Sequence, residues 1–197
     1  VRKDKNQQTN IGGGWHTDHS YDDIPAMGAI LVARKLPETG GDTQFANLAN
    51  AYDALSPQIK SRIENLRAVH SNKHLYGENG LYRMTDLAEH LGGMDRVGDA
   101  THPVVIMHPE SGRKVLYGNP GHTIQFEGWD FAESRNLLDE LYAHVTQTQF
   151  TCSFNWCPGS VTFWDNRCTW HQANNDYQGQ ARLMHRITLA GTALAAA

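Results

Sequence analysis

The chain has 197 residues, 40% of them hydrophobic, with a formal net charge of -4 and a pI near 6.2, so it can bury the core of one ordinary domain. Its lysines and arginines are scattered, which favours neither nucleic acid nor a membrane surface as a partner and leaves a small molecule or a protein as the expected partner. No apolar run approaches the roughly 20 residues that span a bilayer, and the polar opening VRKDKNQQTN has no signal-peptide core, so we expect a cytoplasmic protein.

The segment GGGWHTDHSYDD, residues 12–23, places a histidine and a carboxylate one residue apart. In extended chain His16 and Asp18 point to the same side, where both can take adjacent positions on one metal ion. The glycines at 12–14 would let the backbone pass close to such a site. An isolated H-x-D pair more often serves capping or simple hydrogen bonding, so a metal site requires a third ligand from elsewhere in the chain.

Helices are predicted on either side of an irregular central segment. ANLANAYDALSPQIKSRIENL, residues 46–66, reads as two consecutive helices, with Ser56 as N-cap and Pro57 at the first helical position. Residues 70–100 are glycine-rich, with only a short helical piece near TDLAEHL, and we expect a lid loop over a site. A third helix is predicted in ESRNLLDELYAHV, where one face carries Leu137, Leu138, Leu141 and Val145.

The C-terminal third has the period-2 alternation of strands. QFTCSFNW, the turn Pro158-Gly159 and SVTFWDN together predict a hairpin. RLMHRITLAG is predicted as a strand that places Arg182 and Arg186 on one face and Leu183, His185 and Ile187 on the other. The whole reads as mixed α and β, mainly β, with a closed or sandwich-like sheet and helices outside.

Cysteine usage and the first residue bear on domain organisation. The chain has an odd number of cysteines without C-x-x-C spacing, which we interpret as reduced thiols: Cys152, Cys157 and Cys168. Residues 1–197 are predicted as a single domain. Because the chain begins with Val1 rather than Met, we expect an N-terminal part of the fold to be missing from it.

Three separated blocks carry a family resemblance: HTD at 16–18, PETGGDT at 37–43 and WDNRCTWHQANNDYQGQARLMHR at 164–186. They resemble, in order and spacing, the taurine dioxygenase-like (TauD/TfdA) family of Fe(II)/2-oxoglutarate-dependent oxygenases, and the resemblance runs over residues 15–191. It implies a double-stranded β-helix, the jelly roll of cupin-like proteins, with flanking helices. It also implies a homo-oligomer, either a dimer or a tetramer.

The resemblance implies a role for each matching residue. His16, Asp18 and His171 would form the facial triad that binds Fe(II) and leaves three positions for 2-oxoglutarate and O2. The distal carboxylate of 2-oxoglutarate would be buried and would therefore need a partner, for which Arg182 offers a planar fork and Thr43 a hydroxyl. Arg186 should reach the same cavity, where it binds either 2-oxoglutarate or, as we prefer, an anionic group on the substrate.

Substrate contacts are less well determined by the sequence. The taurine enzyme has a polar side chain shortly before the histidine of H-x-D, whereas this chain has glycines, so taurine is not the expected substrate. Further pocket candidates are Tyr76 and Tyr82 in the lid segment, and Asn119 and His122 in GNPGHT. Aromatic packing is the favoured explanation of the two tyrosines, and a simple turn explains Asn119-Pro120-Gly121 at least as well as a pocket does. We interpret WDN at 164–166 as structural.

The implied reaction is hydroxylation of a C-H bond of a small anionic compound, with succinate and CO2 as co-products. Candidate substrate classes are sulfonates, alkyl sulfates and aryloxyalkanoates. A zinc hydrolase is an alternative, because two histidines and an aspartate with an open position also suit Zn²⁺. A non-catalytic metal-binding or sensing protein of the same fold is another. Neither alternative requires a deep anion site at Arg182, so the paired arginines favour the oxygenase.

Overall fold

The computed structural model describes residues 1–90 and 97–197. Its strands are β1 (Arg2–Lys3), β2 (Gly28–Lys35), β3 (Thr43–Asn47), β4 (Arg67–Ser71), β5 (Asp99–Pro103), β6 (Val105–Met107), β7 (Lys114–Leu116), β8 (Thr123–Phe126), β9 (Thr151–Phe154), β10 (Val161–Asp165), β11 (Thr169–Ala173) and β12 (Arg182–Leu189). Its α-helices are α1 (Leu48–Asp53), α2 (Pro57–Ile63), α3 (Lys73–Tyr76) and α4 (Phe131–Val145). Short 3-10 turns occur at Leu81–Met84, Ala88–His90 and Thr148–Phe150.

Two antiparallel sheets form the centre of the molecule. The larger has the order β1-β12-β2-β10, and the smaller has the order β11-β3-β9. A cluster of apolar side chains from the larger sheet packs against side chains of the smaller sheet and its loops, and includes Ala29, Leu31, Ala33, Trp164 and Met184 with Phe45 and Trp156. This double-sheet arrangement, with helices outside, agrees with the fold predicted from the sequence.

The helices begin and end close to their predicted positions. Ser56 caps α2 by accepting a hydrogen bond from the backbone N–H of Ile59 at 3.3 Å, and Pro57 occupies the first turn, as predicted. Asp130 caps α4 in the same way, so this helix begins two residues before the predicted stretch. The apolar face of α4 is buried in the largest core cluster through Leu137, Leu138, Leu141 and Val145. None of the described helices has the length and apolar character needed to cross a membrane.

The predicted C-terminal hairpin is wrong. β9 pairs with β3 and β10 pairs with β2, so the two strands lie in different sheets. The connection at 155–160, which contains the turn at Gly159, carries the chain from one sheet to the other. Alternation identifies a strand and its buried face but not its partner, which explains the error. The alternation in β12 is confirmed: Arg182 and Met184 are buried, whereas Leu183 and Ile187 are exposed.

The predicted lid segment, residues 70–100, lies between two strands that pair with each other. It begins at the end of β4 and ends in β5, and it contains α3 and two 3-10 turns. A small apolar cluster holds its central part, formed by Tyr82 and Leu87 with Ile11, Leu75 and Tyr76. Residues 91–96 of the predicted lid lie outside the described residues. The cysteines are free, as predicted.

Candidate metal and anion site

The segment that contains the H-x-D pair lies beside β11 and forms an isolated antiparallel bridge with it. The backbone N–H of His16 donates to the carbonyl of His171 at 3.1 Å, and the N–H of His171 donates back at 2.9 Å. The N–H of Ala173 donates to the carbonyl of Gly12 at 2.8 Å. These bonds align two segments that are distant in sequence, so that both histidines lie side by side, with ring centroids 4.2 Å apart.

Two glycines allow the backbone to crowd around His16. Gly12 has a φ of +77°, in the left-handed region, and a Cβ there would lie 3.0 Å from Cε1 of the His16 ring. A Cβ on Gly121 would lie 2.6 Å from Cβ of His16, which is closer than real Cβ contacts allow. The close backbone approach expected for the triglycine is therefore present at Gly12, whereas the role of Gly121 was missed by the sequence analysis.

His16, Asp18 and His171 each offer one ligand atom, and these atoms lie within 4.8 Å of one another. Nε2 of His16 is 3.7 Å from Oδ1 of Asp18, and Nε2 of His171 is 3.7 Å from Oδ2 of the same carboxylate. Nδ1 of His16 bonds to the carbonyl of Gly14 at 2.8 Å, which fixes the ring and leaves Nε2 for a ligand. Two imidazoles and one carboxylate are a donor set that suits Fe(II) and leaves room for other ligands.

The electrostatics of this cluster favour the protonation states that a metal ion needs. Burial opposes the charge of Asp18, but His171, Arg186 and His16 outweigh it and hold the pKa of this carboxyl below its usual range. Burial, followed by the neighbouring His16, lowers the pKa of His171 to about 3. Asp18 is therefore an anion and His171 a neutral imidazole at neutral pH, which are the forms that ligate metals.

Arg182 forms a second feature of the site, a buried cation with two donor atoms that lack partners among the described residues. The residue is only 5% exposed, and its Nε and Nη2 atoms have no hydrogen-bonding partner among the described residues. Burial lowers the pKa of the guanidinium. Thr43 on β3 is 2% exposed and pairs with Ala173 on β11. Its hydroxyl accepts a hydrogen bond from Nε1 of Trp156 at 3.0 Å. The site therefore has N–H donors ready for a buried anion.

Arg186 lies four residues further along the same inward face of β12. Its Nη2 atom is 2.5 Å from Oδ2 of Asp18, and its Cζ lies 6.0 Å from the ring centroid of Trp164. The Nε atom of Arg186 is buried without a partner among the residues that the structure describes. Arg186 thus contacts the metal-compatible cluster through Asp18 and has one donor atom without a partner among the described residues.

Of the weaker candidates, His122 and Tyr76 adjoin the cluster. The His122 ring meets His16 edge-on at 6.1 Å, and burial lowers the pKa of His122 to about 3. Tyr76 packs edge-on against Tyr82 at 5.1 Å; its pKa is raised, mainly by burial and also by Asp18. Tyr82 is buried in the small apolar cluster of the lid segment, and Tyr76 packs against that cluster. Tyr21, which the sequence analysis did not single out, packs edge-on against His122, with the two ring centroids 4.9 Å apart.

Asn119 has its side chain engaged in the loop around the site. Its Nδ2 donates to Oγ of Ser20 at 3.0 Å, and its Oδ1 accepts from the backbone N–H of His122 at 2.9 Å. These bonds tie the turn that follows Asp18 to the GNPGHT segment. Asn119 is fully buried and positions its neighbours through these contacts.

Thr17, between the two candidate ligands, was also missed by the sequence analysis. Its hydroxyl donates to the carbonyl of Asn166 at 2.6 Å, and Asn166 in turn accepts from Nε1 of Trp164 at 2.9 Å. The H-x-D segment is thereby tied to the WDN motif, in agreement with the structural role expected for that motif. The sequence offers one local indication of this role of Thr17. Successive side chains of an extended segment alternate in direction, so a residue between two inward-facing ligands must face the opposite way.

A second group of potential ligands, His108, Asp165 and Cys168, lies within the same distance limit. Arg167 donates to both carboxylate oxygens of Asp165, at 2.9 and 2.6 Å, and Nε2 of His108 lies 3.1 Å from the same carboxylate. The carboxylate already has a cationic partner, so this group reads as an ion-pair network that supports the loop before β11.

Comparisons with known proteins identify the family of this chain. A family model described as "Taurine catabolism dioxygenase TauD, TfdA family" matches residues 1–188. An alkylsulfatase of Acinetobacter baylyi is 40% identical over 183 residues, which cover 90% of this chain and 56% of the relative. The (S)-phenoxypropionate/alpha-ketoglutarate-dioxygenase of Sphingobium herbicidovorans is 38% identical, with 90% of this chain and 62% of the relative covered.

Two solved structures have the same fold. AAD-2 in complex with Mn(II) and N-oxalylglycine superposes with a TM-score of 0.79 at 35% identity, covering 92% of this chain and 65% of the other. A putative alpha-ketoglutarate-dependent taurine dioxygenase from Burkholderia xenovorans gives 0.80 at 34% identity, covering 98% and 65%. The chain thus spans 56% to 65% of the length of these proteins. It has the jelly-roll fold predicted from its sequence, and it belongs to the taurine catabolism dioxygenase TauD, TfdA family.

Proposed function

We propose that the protein is an Fe(II)- and 2-oxoglutarate-dependent dioxygenase that hydroxylates a C-H bond of a small anionic organic compound. The observation that carries this proposal is the buried guanidinium of Arg182, whose Nε and Nη2 have no partner among the described residues. A buried unpaired cation is costly, so its retention is explained by an anion that binds there. Neither a zinc hydrolase nor a bare metal-binding protein needs one.

The residues present fit 2-oxoglutarate. Thr43 pairs with Ala173, which lies two residues from His171 on β11, or about 7 Å along the strand. A five-carbon dicarboxylic acid would cover such a span, and Thr43 and Arg182 would hold its distal carboxylate. Arg182 then gains the charge-assisted hydrogen bonds that its N–H groups lack.

Fe(II) and 2-oxoglutarate supply the oxygen activation and C-H hydroxylation when bound, with 2-oxoglutarate converted to succinate and CO2. The chain's own residues bind and orient. His16, Asp18 and His171 would hold the metal, while Arg186 stabilises the Asp18 carboxylate through an ion pair. The lid segment, with the Tyr76 and Tyr82 rings, limits the access of water.

The substrate class follows from Arg186 and from the relatives. Its buried Nε atom remains free to bind an anionic group. Relatives of this chain include a sulfate ester dioxygenase and dioxygenases of aryloxyalkanoates. We therefore infer a sulfonate, alkyl sulfate or aryloxyalkanoate as substrate. Hydroxylation of the carbon bearing the sulfonate, sulfate or aryloxy group gives a product that breaks down to a carbonyl compound and the released group.

The decisive experiment is an anaerobic titration of the apo-protein with Fe(II) and then with 2-oxoglutarate, recorded as the weak visible charge-transfer band of the chelate. The wild type should develop the band, and Arg182→Ala should need far more 2-oxoglutarate. His185→Ala, on the exposed face of the same strand, is the matched control and should behave as the wild type. Absence of the band together with tight Zn²⁺ binding would instead support the hydrolase.

A second experiment tests the substrate class. Sulfonates, alkyl sulfates and aryloxyalkanoates are screened by succinate release, and the best substrate is repeated with Arg186→Ala and Arg186→Lys. We expect Arg186→Ala to lose anion-dependent turnover and Arg186→Lys to retain part of it. Turnover that is indifferent to the anionic group would show that Arg186 is not its anchor. Binding of 2-oxoglutarate without turnover of any compound would support a non-catalytic member of the family.

A further inference from the structure

Trp156 contacts both residues of the candidate anion site. It lies in the connection between β9 and β10, half-buried, with its ring packed edge-on against Phe154 at 4.9 Å. Its Nε1 donates to Oγ1 of Thr43 at 3.0 Å. The Cζ atom of Arg182 lies 5.6 Å from the centroid of its ring. One side chain therefore holds the hydroxyl and the guanidinium together.

The bond to Thr43 restricts the directions in which that hydroxyl can donate. An indole N–H can only donate, and a threonine hydroxyl has one proton to donate and two lone pairs to accept with. Because Trp156 occupies a lone pair of Oγ1, the proton of Thr43 must point elsewhere, and no described residue accepts it. Thr43 is left as a donor whose proton points away from the indole.

The contact with Arg182 holds a cation without using its donors. A guanidinium beside an aromatic ring is attracted to the negative ring face, within the distance of about 6 Å at which such pairs are found. The ring takes up none of the N–H groups, and Nε and Nη2 of Arg182 accordingly have no partner in the described part of the chain. Trp156 thus orients the charge while leaving it free to form hydrogen bonds.

We propose that Trp156 is a positioning residue for the distal carboxylate of 2-oxoglutarate. It aligns the Thr43 hydroxyl and the Arg182 guanidinium so that both donate to the same carboxylate. This inference rests on the proposed function, because it takes 2-oxoglutarate as the ligand. A purely structural role is the competing explanation, since Trp156 also packs against the cluster between the sheets.

The two explanations differ in their dependence on the ligand. 2-Oxovalerate has the chain length and 2-oxo acid group of 2-oxoglutarate but lacks the distal carboxylate. A positioning role predicts that loss of the indole N–H weakens only the dicarboxylate. A structural role predicts that both ligands weaken together, because a disturbed core would shift the metal and the anion site alike.

The test uses Trp156→Phe, which keeps an aromatic ring beside Arg182 and removes the N–H. Trp129→Phe is the matched control, because Trp129 is also half-buried and packs against the largest core cluster, away from the candidate site. Dissociation constants for both ligands are measured anaerobically on the Fe(II)-loaded protein. In Trp156→Phe we expect the constant for 2-oxoglutarate to rise about tenfold, because the Thr43 hydroxyl is no longer held in place for its hydrogen bond to the carboxylate. The constant for 2-oxovalerate should not change.

A double-mutant cycle with Thr43→Val completes the test. If Trp156 acts through the Thr43 hydroxyl, Trp156→Phe should cause little further loss once that hydroxyl is absent. Additive losses, equal weakening of both ligands, or an unchanged constant for 2-oxoglutarate would each overturn the inference. If Trp156→Phe does not fold, Thr43→Val alone must show the selective loss and Thr43→Ser must restore it. Failure of the wild type to bind 2-oxoglutarate would instead refute the proposed function itself.

Discussion

Arg182 illustrates how one residue serves binding at the expense of stability. Its guanidinium is buried with two donor atoms that lack partners among the described residues. An unsatisfied buried donor destabilises a fold by about 1–3 kcal/mol, whereas an apolar side chain of similar shape has no such penalty. The chain therefore retains a group that its fold alone does not need.

Replacement of this arginine by methionine should show the trade-off directly. We expect Arg182→Met to raise the free energy of unfolding of the ligand-free protein by about 1 kcal/mol, because it removes an unpaired buried cation and keeps most of the packing. Urea denaturation of both proteins without metal measures the difference. A clear loss of stability in Arg182→Met would contradict this account of the residue.

Gly121 should prove as important to the metal site as a ligand. A Cβ at this position would meet Cβ of His16 at 2.6 Å, so Gly121→Ala must displace the His16 backbone or its own loop. We expect metal affinity to fall by about 10- to 100-fold, as for other residues that orient ligands. Gly118→Ala is the control, because the nearest contact of its Cβ would be 3.9 Å away. Titration of both variants with metal measures the two affinities. Equal affinities of Gly121→Ala and Gly118→Ala would show that the loop accommodates the added Cβ without moving His16.

At the scale of single elements, local patterns predicted which face of a strand or helix is buried but not which other element it packs against or pairs with. The period of two identified the inward face of β12, because that period is a property of the strand itself. The hairpin of β9 and β10 was wrong because strand pairing depends on the rest of the fold. For the same reason the bond between Trp156 and Thr43, which are 113 positions apart, left no signal in the sequence.

The sheet of β5, β4 and β8 contains buried histidines that should make stability depend on pH. His70 on β4 is completely buried, and its ring contacts His102 at 5.4 Å and Tyr117 at 5.7 Å. Burial, followed by the neighbouring His102 and His122, lowers the pKa of His70 well below 6.5. Burial also lowers the pKa of His102. The unfolded chain therefore binds protons near pH 6.5 that the folded chain does not.

Stability should accordingly fall as the pH drops below about 6.5, by up to about 1.4 kcal/mol per pH unit for each such histidine. His70→Phe removes one of these groups and should make the decline between pH 6.5 and 5 shallower, while His122, His102 and His171 keep part of it. Urea midpoints across this range measure the slope. The exposed His185→Ala is the control, and a slope unchanged in His70→Phe would refute the assignment.

At the scale of the whole molecule, the candidate site lies where the two central sheets and the H-x-D segment meet. Thr43 and His171 come from the smaller sheet, while Arg182 and Arg186 come from the larger one. Composition and spacing alone identified one histidine and one carboxylate. The third ligand, His171, and the anion-binding residues Arg182 and Arg186 were predicted only through the family resemblance. Residues more than 100 positions apart are brought together by the fold, and the family shares that fold.

A site built from both sheets should couple ligand binding to global stability, and in an ordered way. Mn(II) at 100 times its dissociation constant should stabilise the folded protein by about 2.7 kcal/mol, since the unfolded chain does not assemble the three ligands. N-Oxalylglycine, the ligand present with Mn(II) in the AAD-2 structure, should add a further increment only when metal is present, because its 2-oxo acid end needs the metal. Arg182→Met should keep the metal increment and lose the second one.

Unfolding midpoints in the four combinations of Mn(II) and N-oxalylglycine test this for the wild type, Arg182→Met and the control His185→Ala. The control should show both increments, because its side chain is exposed on the opposite face of β12. Equal stabilisation by N-oxalylglycine with and without metal would mean that the anion site and the metal site act separately. A second increment that depends on both the metal and Arg182 would show that one ligand joins the smaller sheet, through His171, to the larger sheet, through Arg182.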